Sequence, residues 1–237
     1  TALALVIGVI LFAESEIFDR RMMNSSVLGH PEYTAQEHTS DEMIALYNQY
    51  ISDINETITL VERDENMHMI HRSAAEVRAD LAVTRQRING EFSRFTVDAP
   101  DEKTSLISAG LDAYGIAAYT VTPTMEIIFN RRYEDDPAFP SIYAHEFSHY
   151  VGYWREDEAN YLGYRLCMAS DDPNIRYAAL LDLFPFMNDA LDHAYFGDAE
   201  PDHDSPDYAA FCDTLTQFTD VATIYLFLGD YHGNYKP

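Results

Sequence analysis

The chain has 237 residues, 47% of them hydrophobic, so it is long and apolar enough to bury a sizeable core without disulfide staples. Its 40 acidic and 15 basic residues give a net charge of −25, which disfavours binding to the polyanions DNA and RNA. Only two cysteines occur, Cys167 and Cys212, which excludes a disulfide framework and leaves no paired C-x-x-C motif.

An apolar run opens the sequence, from Ala2 to Ala13, with no initiator methionine before it. A helix that spans a bilayer needs about 20 apolar residues, so we interpret residues 1–17 as the end of a transmembrane helix or anchor. A buried core helix or the remainder of a signal peptide is the alternative. Lysine and arginine are sparse after the run, which favours an extracytoplasmic position for the domain that follows.

Two apolar seams with helical spacing come next. Thr39–Glu42 has the pattern of a helix start, and apolar residues then recur three and four positions apart between Ile44 and Val61. A second seam runs from Ile70 to Ile88 and ends at Asn89-Gly90. Because the two helices are close in sequence, we expect them to pack as an antiparallel hairpin.

A small sheet is predicted at about residues 115–130. The stretches GIAAYTVTP and TMEIIFN have the composition of two short strands, separated by Pro123. The second strand, with Glu126, Ile127 and Ile128, is a candidate edge strand to which an extended peptide substrate adds by backbone hydrogen bonds. A purely structural strand is the alternative.

The rest of the chain has helical patterns. Pro140 is placed to open a helix over SIYAHEFSHYVGYW, and Gly152 offers its stop. The pattern resumes in EDEANYLGYRLCMA, then from Asp172 to His193 and from Ser205 to Leu228, with an acidic loop before the last segment.

Residues 145–149 read HEFSH, the H-E-x-x-H pattern of zinc peptidases. On a helix, His145 and His149 share one face, so both imidazoles can bind one metal ion. The carboxylate of Glu146 would then hold and deprotonate a water molecule on that ion. Catalytic zinc takes three protein ligands and keeps a position for water, so another segment must supply the third ligand.

The segment after Gly152 is the predicted source of that ligand. A turn at this glycine lets the next helix fold back and point a carboxylate at the histidines, and we choose Glu156. Asn160 lies on the same helix face as Glu156 and would orient a ligand by hydrogen bonding. Glu158 points about 160° away from Glu156 on an ideal helix and is the fallback ligand. The site would hold one Zn²⁺ per chain.

The motifs of this region resemble those of known families. Glu156, Ala159 and Asn160 form E-x-x-A-N, similar to the E-x-x-A-D/N segment of several zinc peptidase families in which that glutamate is the third ligand. Four stretches in order resemble the bacterial membrane-protein family catalogued as domain of unknown function thirty-eight-ten: G-I-A-A-Y-x-x-x-P-T-x-E at 115–126, AHEFSH at 144–149, REDEANYLGYRLC at 155–167 and IRYAA at 175–179. Members of that family are similar in carrying membrane-spanning helices before a gluzincin-type H-E-x-x-H domain.

Patterns and resemblance together predict an α+β, predominantly helical fold. It would contain a zincin-like catalytic domain with an active-site helix, the short sheet and a C-terminal helical bundle. We expect a helical hairpin region at 18–98 and a metallopeptidase domain at 99–237, joined as one continuous unit from residue 18. The resemblance also implies a bacterial cell membrane location.

The leading hypothesis is a membrane-anchored zinc metalloendopeptidase that acts on a peptide or protein substrate. A gluzincin needs a further donor that stabilises the oxyanion formed on the attacked carbonyl. The candidate donors are Tyr231, His232, His193, Tyr177 and Arg176.

Two other readings stay open. A carboxylate-bridged di-iron bundle uses two E-x-x-H pairs, and Glu146–His149 and Glu65–His68 have this spacing, with Glu76 and Glu158 as further ligands. Such a bundle has no use for His145. The other reading is a binding domain that keeps a structural metal without catalysis, although a structural site has no need of a general base at Glu146.

Overall fold

The structure, a computed structural model, describes residues 38–92, 94–101, 103–121, 124–133, 136–197 and 202–225. The apolar segment at 1–17 and the candidate donors Tyr231 and His232 lie outside these described residues. No helix in the described ranges has the length and apolar character needed to cross a bilayer.

The predicted class is confirmed, because the described chain is mostly helical with one small sheet. In chain order, the elements are α1 (Ser40–Thr57), α2 (Ala74–Ile88), β1 (Lys103–Thr104), α3 (Ser108–Asp112), β2 (Ala118–Val121), β3 (Glu126–Phe129), a 3-10 turn (Arg131–Tyr133), α4 (Phe139–Tyr150), α5 (Glu156–Met168), α6 (Pro173–Phe196), α7 (Pro206–Cys212) and α8 (Asp220–Tyr225). The chain divides into two compact units. In the described ranges, the first unit comprises residues 72–170, and the second comprises residues 38–71 and 171–225.

The sheet of the first unit has the strand order β1-β3-β2. Strand β3 pairs in parallel with β1 and antiparallel with β2. The expectation that Glu126, Ile127 and Ile128 form an edge strand is therefore wrong, because β3 lies between the other two described strands. Its alternating burial, with Ile127 and Phe129 inside, is that of a structural central strand. Among the described strands, β2 is the antiparallel edge.

Aromatic side chains fill the core of the first unit. Phe129, Phe139 and Tyr143 form one cluster, with ring centroids 5.0–5.9 Å apart. Phe95 joins α4 to the turn after it, since its ring lies 5.7 Å from Phe147 and 5.6 Å from Tyr153. The aromatic residues around the H-E-x-x-H motif therefore serve mainly to hold α4 in place.

The two helices expected to form a hairpin belong to different units. Helix α2, capped at Ser73 by a capping box with Glu76, packs against α5 in the first unit and buries Val77 and Leu81. Helix α1, capped in the same way by Thr39, packs along α6 in the second unit. The helix start predicted at Thr39 is thus confirmed, and each helix packs against a partner far along the chain.

The helix expected from Ser205 to Leu228 is interrupted. Helix α7 ends at Cys212 and α8 begins at Asp220. Between them, the Asn48 side chain bonds the backbone of Thr214 and Thr216, and Asn55 bonds the backbone of Gln217 and Thr219. These four hydrogen bonds from α1 replace the helical hydrogen bonds that the segment gives up.

Candidate metal centre

Helix α4 presents the H-E-x-x-H motif on a buried platform. Pro140 stands in its first turn, where a missing N–H costs nothing, and the apolar side chains Phe139, Tyr143 and Phe147 face the core. The helix stops at Gly152, as predicted. This residue has φ +100°, a conformation that glycine adopts without strain, and Tyr153 N donates back to Ser148 O at 3.0 Å.

The turn at Gly152 brings the first residue of α5 to the two histidines. His145 Nε2 lies 3.3 Å from Glu156 Oε2, and His149 Nε2 lies 3.6 Å from Glu156 Oε1. The imidazole centroids are 4.6 Å apart. In the described part of the chain, these three side chains form the group whose ligand atoms all lie within 4.8 Å of one another.

Glu158, the fallback ligand, points elsewhere. It is 2% exposed, and its Oε1 lies 4.0 Å from Arg155 Nε. The structure therefore brings Glu156, and not Glu158, to the histidine pair, as the angular separation on the helix requires.

The donor set fits a tetrahedral zinc ion. Zinc bonds to imidazole nitrogen and carboxylate oxygen are about 2.0–2.2 Å long, and tetrahedral ligands at that radius are roughly 3.3–3.5 Å apart. The two His–Glu separations of 3.3 and 3.6 Å match this spacing. Two neutral imidazoles and one carboxylate would leave a fourth position for water or substrate.

A backbone carbonyl orients His149. Its Nδ1 lies 2.7 Å from Tyr153 O, so Nδ1 carries a proton and Nε2 is the ring nitrogen directed at Glu156. The Trp154 ring stacks on the imidazole at 6.0 Å with an interplanar angle of 15°. The same turn that ends α4 therefore also selects the tautomer that a metal ligand needs.

The charges of the metal-free site favour an ion pair. Hydrogen bonds with His145 and His149 hold the pKa of Glu156 well below its ordinary value of 4.5. Burial acts to lower the pKa of His145, but its hydrogen bond to Glu156 and the nearby charge of Glu146 outweigh burial and raise this pKa above 6.5. A hydrogen bond with the Asn160 side chain acts in the same direction, and the orienting role of that residue stays a prediction.

Glu146 is buried beside the histidines, at 5% exposure. Thr120, in strand β2, donates its hydroxyl to Glu146 Oε2 at 2.6 Å and lies 3.1 Å from the Glu146 carbonyl oxygen. Burial raises the pKa of the Glu146 carboxyl, and the Thr120 hydrogen bond partly opposes that rise. In the described ranges, no donor contacts the second oxygen, Oε1.

Sequence reasoning missed three positions that build this centre. Thr120 and the carbonyl of Tyr153 have no local signal, since one acts across the fold and the other through its backbone. Gly163 did have a signal, because it stands seven residues after Glu156 and thus on the same helix face as Ala159. A Cβ at Gly163 would lie 2.9 Å from His145 N, so only glycine allows α5 this close to α4.

Several other predicted residues belong to the second unit, whereas the candidate centre lies in the first. His193, Tyr177 and Arg176 belong to the second unit, where Tyr177 is fully buried and His193 is exposed. Their role as oxyanion donors stays a prediction. Glu65 and His68 also belong to the second unit and lie in a turn closed by the Arg63–Met69 bridge, so this E-x-x-H pair is not on a helix.

A family model described as Protein of unknown function (DUF3810) matches residues 5–201. The chain belongs to this family. The matched range includes every residue of the candidate metal centre, from Thr120 to Gly163. No curated protein and no solved structure matches the chain.

Proposed function

We propose that the chain is a zinc-dependent peptidase whose general base is Glu146. The observation that carries this proposal is the convergence of His145 Nε2, His149 Nε2 and the Glu156 carboxylate, with the buried Glu146 carboxylate beside them. A zinc ion bound by these three groups would act as a Lewis acid that acidifies a water molecule and polarises a carbonyl.

Glu146 is held in one orientation for proton transfer. Thr120 occupies Oε2, so we assign Oε1 as the oxygen that accepts the proton of the attacking water. The protonated carboxyl then delivers this proton to the leaving amine. A purely structural metal site has no use for a second, buried carboxylate beside its ligands, which favours catalysis over the non-catalytic alternative.

The edge strand β2 supports an extended peptide as the substrate. Ala117 O accepts from Asn130 N, and Tyr119 and Val121 follow at the two-residue interval, so these residues direct their backbone groups towards β3. The backbone groups of Ala118 and Thr120 therefore point to the open side of the strand. A peptide that adds there by backbone hydrogen bonds would pass next to Glu146, which the side chain of Thr120 contacts.

The di-iron alternative has less support. Its second E-x-x-H pair, Glu65 and His68, lies in a turn rather than mid-helix. His145, which that reading leaves without a role, hydrogen-bonds Glu156.

Metal analysis and peptide cleavage test the proposal directly. We expect one zinc per chain, cleavage of a diverse peptide mixture, and loss of that cleavage in Glu146→Gln with zinc retained. The matched control is Glu56→Gln, an exposed glutamate on α1, which should change neither quantity. Undiminished cleavage by Glu146→Gln, or two irons per chain, would contradict the proposal.

A further inference from the structure

A shallow surface cavity of about 490 Å³, widely open to solvent, lies beside the C-terminal end of α4. Three segments of the first unit line it: the loop after α2, the β2–β3 connection and the end of α4, with Arg94, Thr96, Val97, Met125, Tyr150 and Val151. This volume is within the range of roughly 300–1,000 Å³ typical of ligand pockets.

The cavity follows directly on the candidate catalytic groups. Tyr150 stands four residues after Glu146, so it lies about one helical turn, roughly 5.4 Å, further along the same face of α4. Met125 is tied to the end of β2, because its N–H donates to Val121 O at 2.7 Å. The contact between α4 and β2 at Glu146 and Thr120 thus lies about one helical turn from the cavity.

The distances of an extended peptide suit this arrangement. Side chains two residues apart in a strand lie on the same face, about 6.6 Å from one another. A peptide on the open side of β2, with its scissile bond at Glu146, therefore brings a side chain within one or two residues of that bond to the cavity.

The walls of the cavity are suited to an apolar side chain. Val97, Met125 and Val151 supply aliphatic surface, and methionine adapts its shape to different occupants. The Tyr150 ring is fixed by stacking on Phe147 at 6.1 Å.

Arg94 gives the cavity one charged wall. Its guanidinium donates to Gly152 O and lies over the Tyr153 ring at 5.2 Å, so the charge is held by the turn that ends α4. A positive charge at this place disfavours a lysine or arginine side chain in the cavity, although the negative charge of the whole chain attracts cationic peptides.

We infer that this cavity is the subsite that selects the peptide substrate, and that it takes a large apolar or aromatic side chain next to the cleaved bond. The inference rests on the proposed peptidase function and adds a substrate class to it.

Cleavage of a mixed peptide library by the zinc-loaded full chain, read by mass spectrometry, tests the inference. We expect one position within two residues of the cut to be enriched in Phe, Leu and Met and depleted in Lys and Arg. Val97→Trp should fill the cavity and shift this position towards Gly, Ala and Ser, with a loss of at least about 10-fold in kcat/KM for a Phe-containing peptide. The kcat/KM of a matched Ala-containing peptide should fall by less than that of the Phe-containing peptide.

Val83→Trp is the control, since Val83 is a similarly exposed valine of the first unit, at 50% against 45% for Val97, and lies on α2 away from the cavity. Met125→Ala is the second variant and should widen acceptance towards Trp. Zinc content and the thermal midpoint of each variant show whether it is folded, so a misfolded Val97→Trp leaves Met125→Ala to decide.

The outcomes separate the two proposals. If the parent cleaves peptides but the folded cavity variants keep its preference, or if the selected residue is charged, the subsite is wrong and the peptidase proposal stands. If the zinc-loaded parent cleaves no peptide, the peptidase proposal fails and the subsite fails with it.

Discussion

Gly163 and His145 lie in such close contact that a methyl group does not fit between them. A Cβ at Gly163 would stand 2.9 Å from His145 N and 3.1 Å from His145 Cα. The atoms that this Cβ would contact belong to the backbone of α4, which cannot move away as a flexible side chain could. Gly163 therefore sets how close α4 and α5 lie, and with it the distance from Glu156 to the histidines, although it is not itself a candidate ligand.

Gly163→Ala should push α5 away from α4 and weaken zinc binding. We expect a destabilisation of about 1–3 kcal/mol, as for other overpacked cores, and a lower zinc affinity in a competition titration with a chelator. Gly110→Ala is the control, since Gly110 is also helical and has no atom within 4 Å of a Cβ. Equal zinc affinity in both variants would show that the helix separation does not govern the site.

Glu156→Gln should remove the proposed third zinc ligand. Loss of a residue that merely orients a ligand costs roughly 10–100-fold in metal affinity, and loss of the ligand itself should cost more. Asp157→Asn, at the neighbouring exposed position paired with Arg155, should bind zinc like the parent. Isothermal titration with zinc measures the affinity of both variants. An unchanged affinity in Glu156→Gln would show that another residue is the third ligand.

Thr120→Val should impair catalysis without removing the metal. The Thr120 hydroxyl stabilises the charged form of Glu146, so its loss should raise the pKa of this carboxyl further. The acidic limb of the kcat/KM profile should then shift to higher pH, because the base is protonated over a wider range. Thr120→Ser keeps the hydroxyl and should have the same pH profile as the parent. If neither variant shifts the profile, Thr120 does not influence the pKa of Glu146.

Stabilisation by zinc should grow as pH rises. In the metal-free chain, the raised pKa of His145 contributes stability that is fully present below its ordinary 6.5 and is lost as pH rises through the folded-state pKa. The lowered pKa of Glu156 contributes stability that is present above its ordinary 4.5 and is lost as pH falls through its folded-state pKa. The ion pair therefore supports the metal-free fold most between about pH 4.5 and 6.5.

Zinc must displace the proton of His145, so zinc binding competes with the ion pair between His145 and Glu156. We expect the rise in thermal midpoint on adding zinc to be larger at pH 8 than at pH 5.5. Differential scanning fluorimetry with and without a chelator measures the difference, and an equal rise at both values would contradict it.

The sequence by itself determined the local features of this protein. The histidines of HEFSH are four positions apart, which places both imidazoles on one helix face. Gly152 ends that helix because glycine adopts φ +100° without the steric strain that a side chain would cause. Local geometry also shows that Glu156 and Glu158 cannot both be ligands, since two residues on a helix separate their directions by about 160°. The choice of Glu156 between them came from its E-x-x-A-N spacing to Ala159 and Asn160. The helix start at Thr39 was likewise predicted from its local sequence, whereas the capping box at Ser73 was not, although its S-x-x-E spacing is also local.

Only the tertiary structure decided which elements meet. Two helices adjacent in sequence belong to different units, the edge strand is β2 rather than β3, and asparagines of α1 keep residues 214–219 out of a helix. Thr120 reaches Glu146 from 26 positions away. Such pairings depend on packing between surfaces that are distant along the chain, and periodicity describes only the face that an element buries, not the partner that covers it.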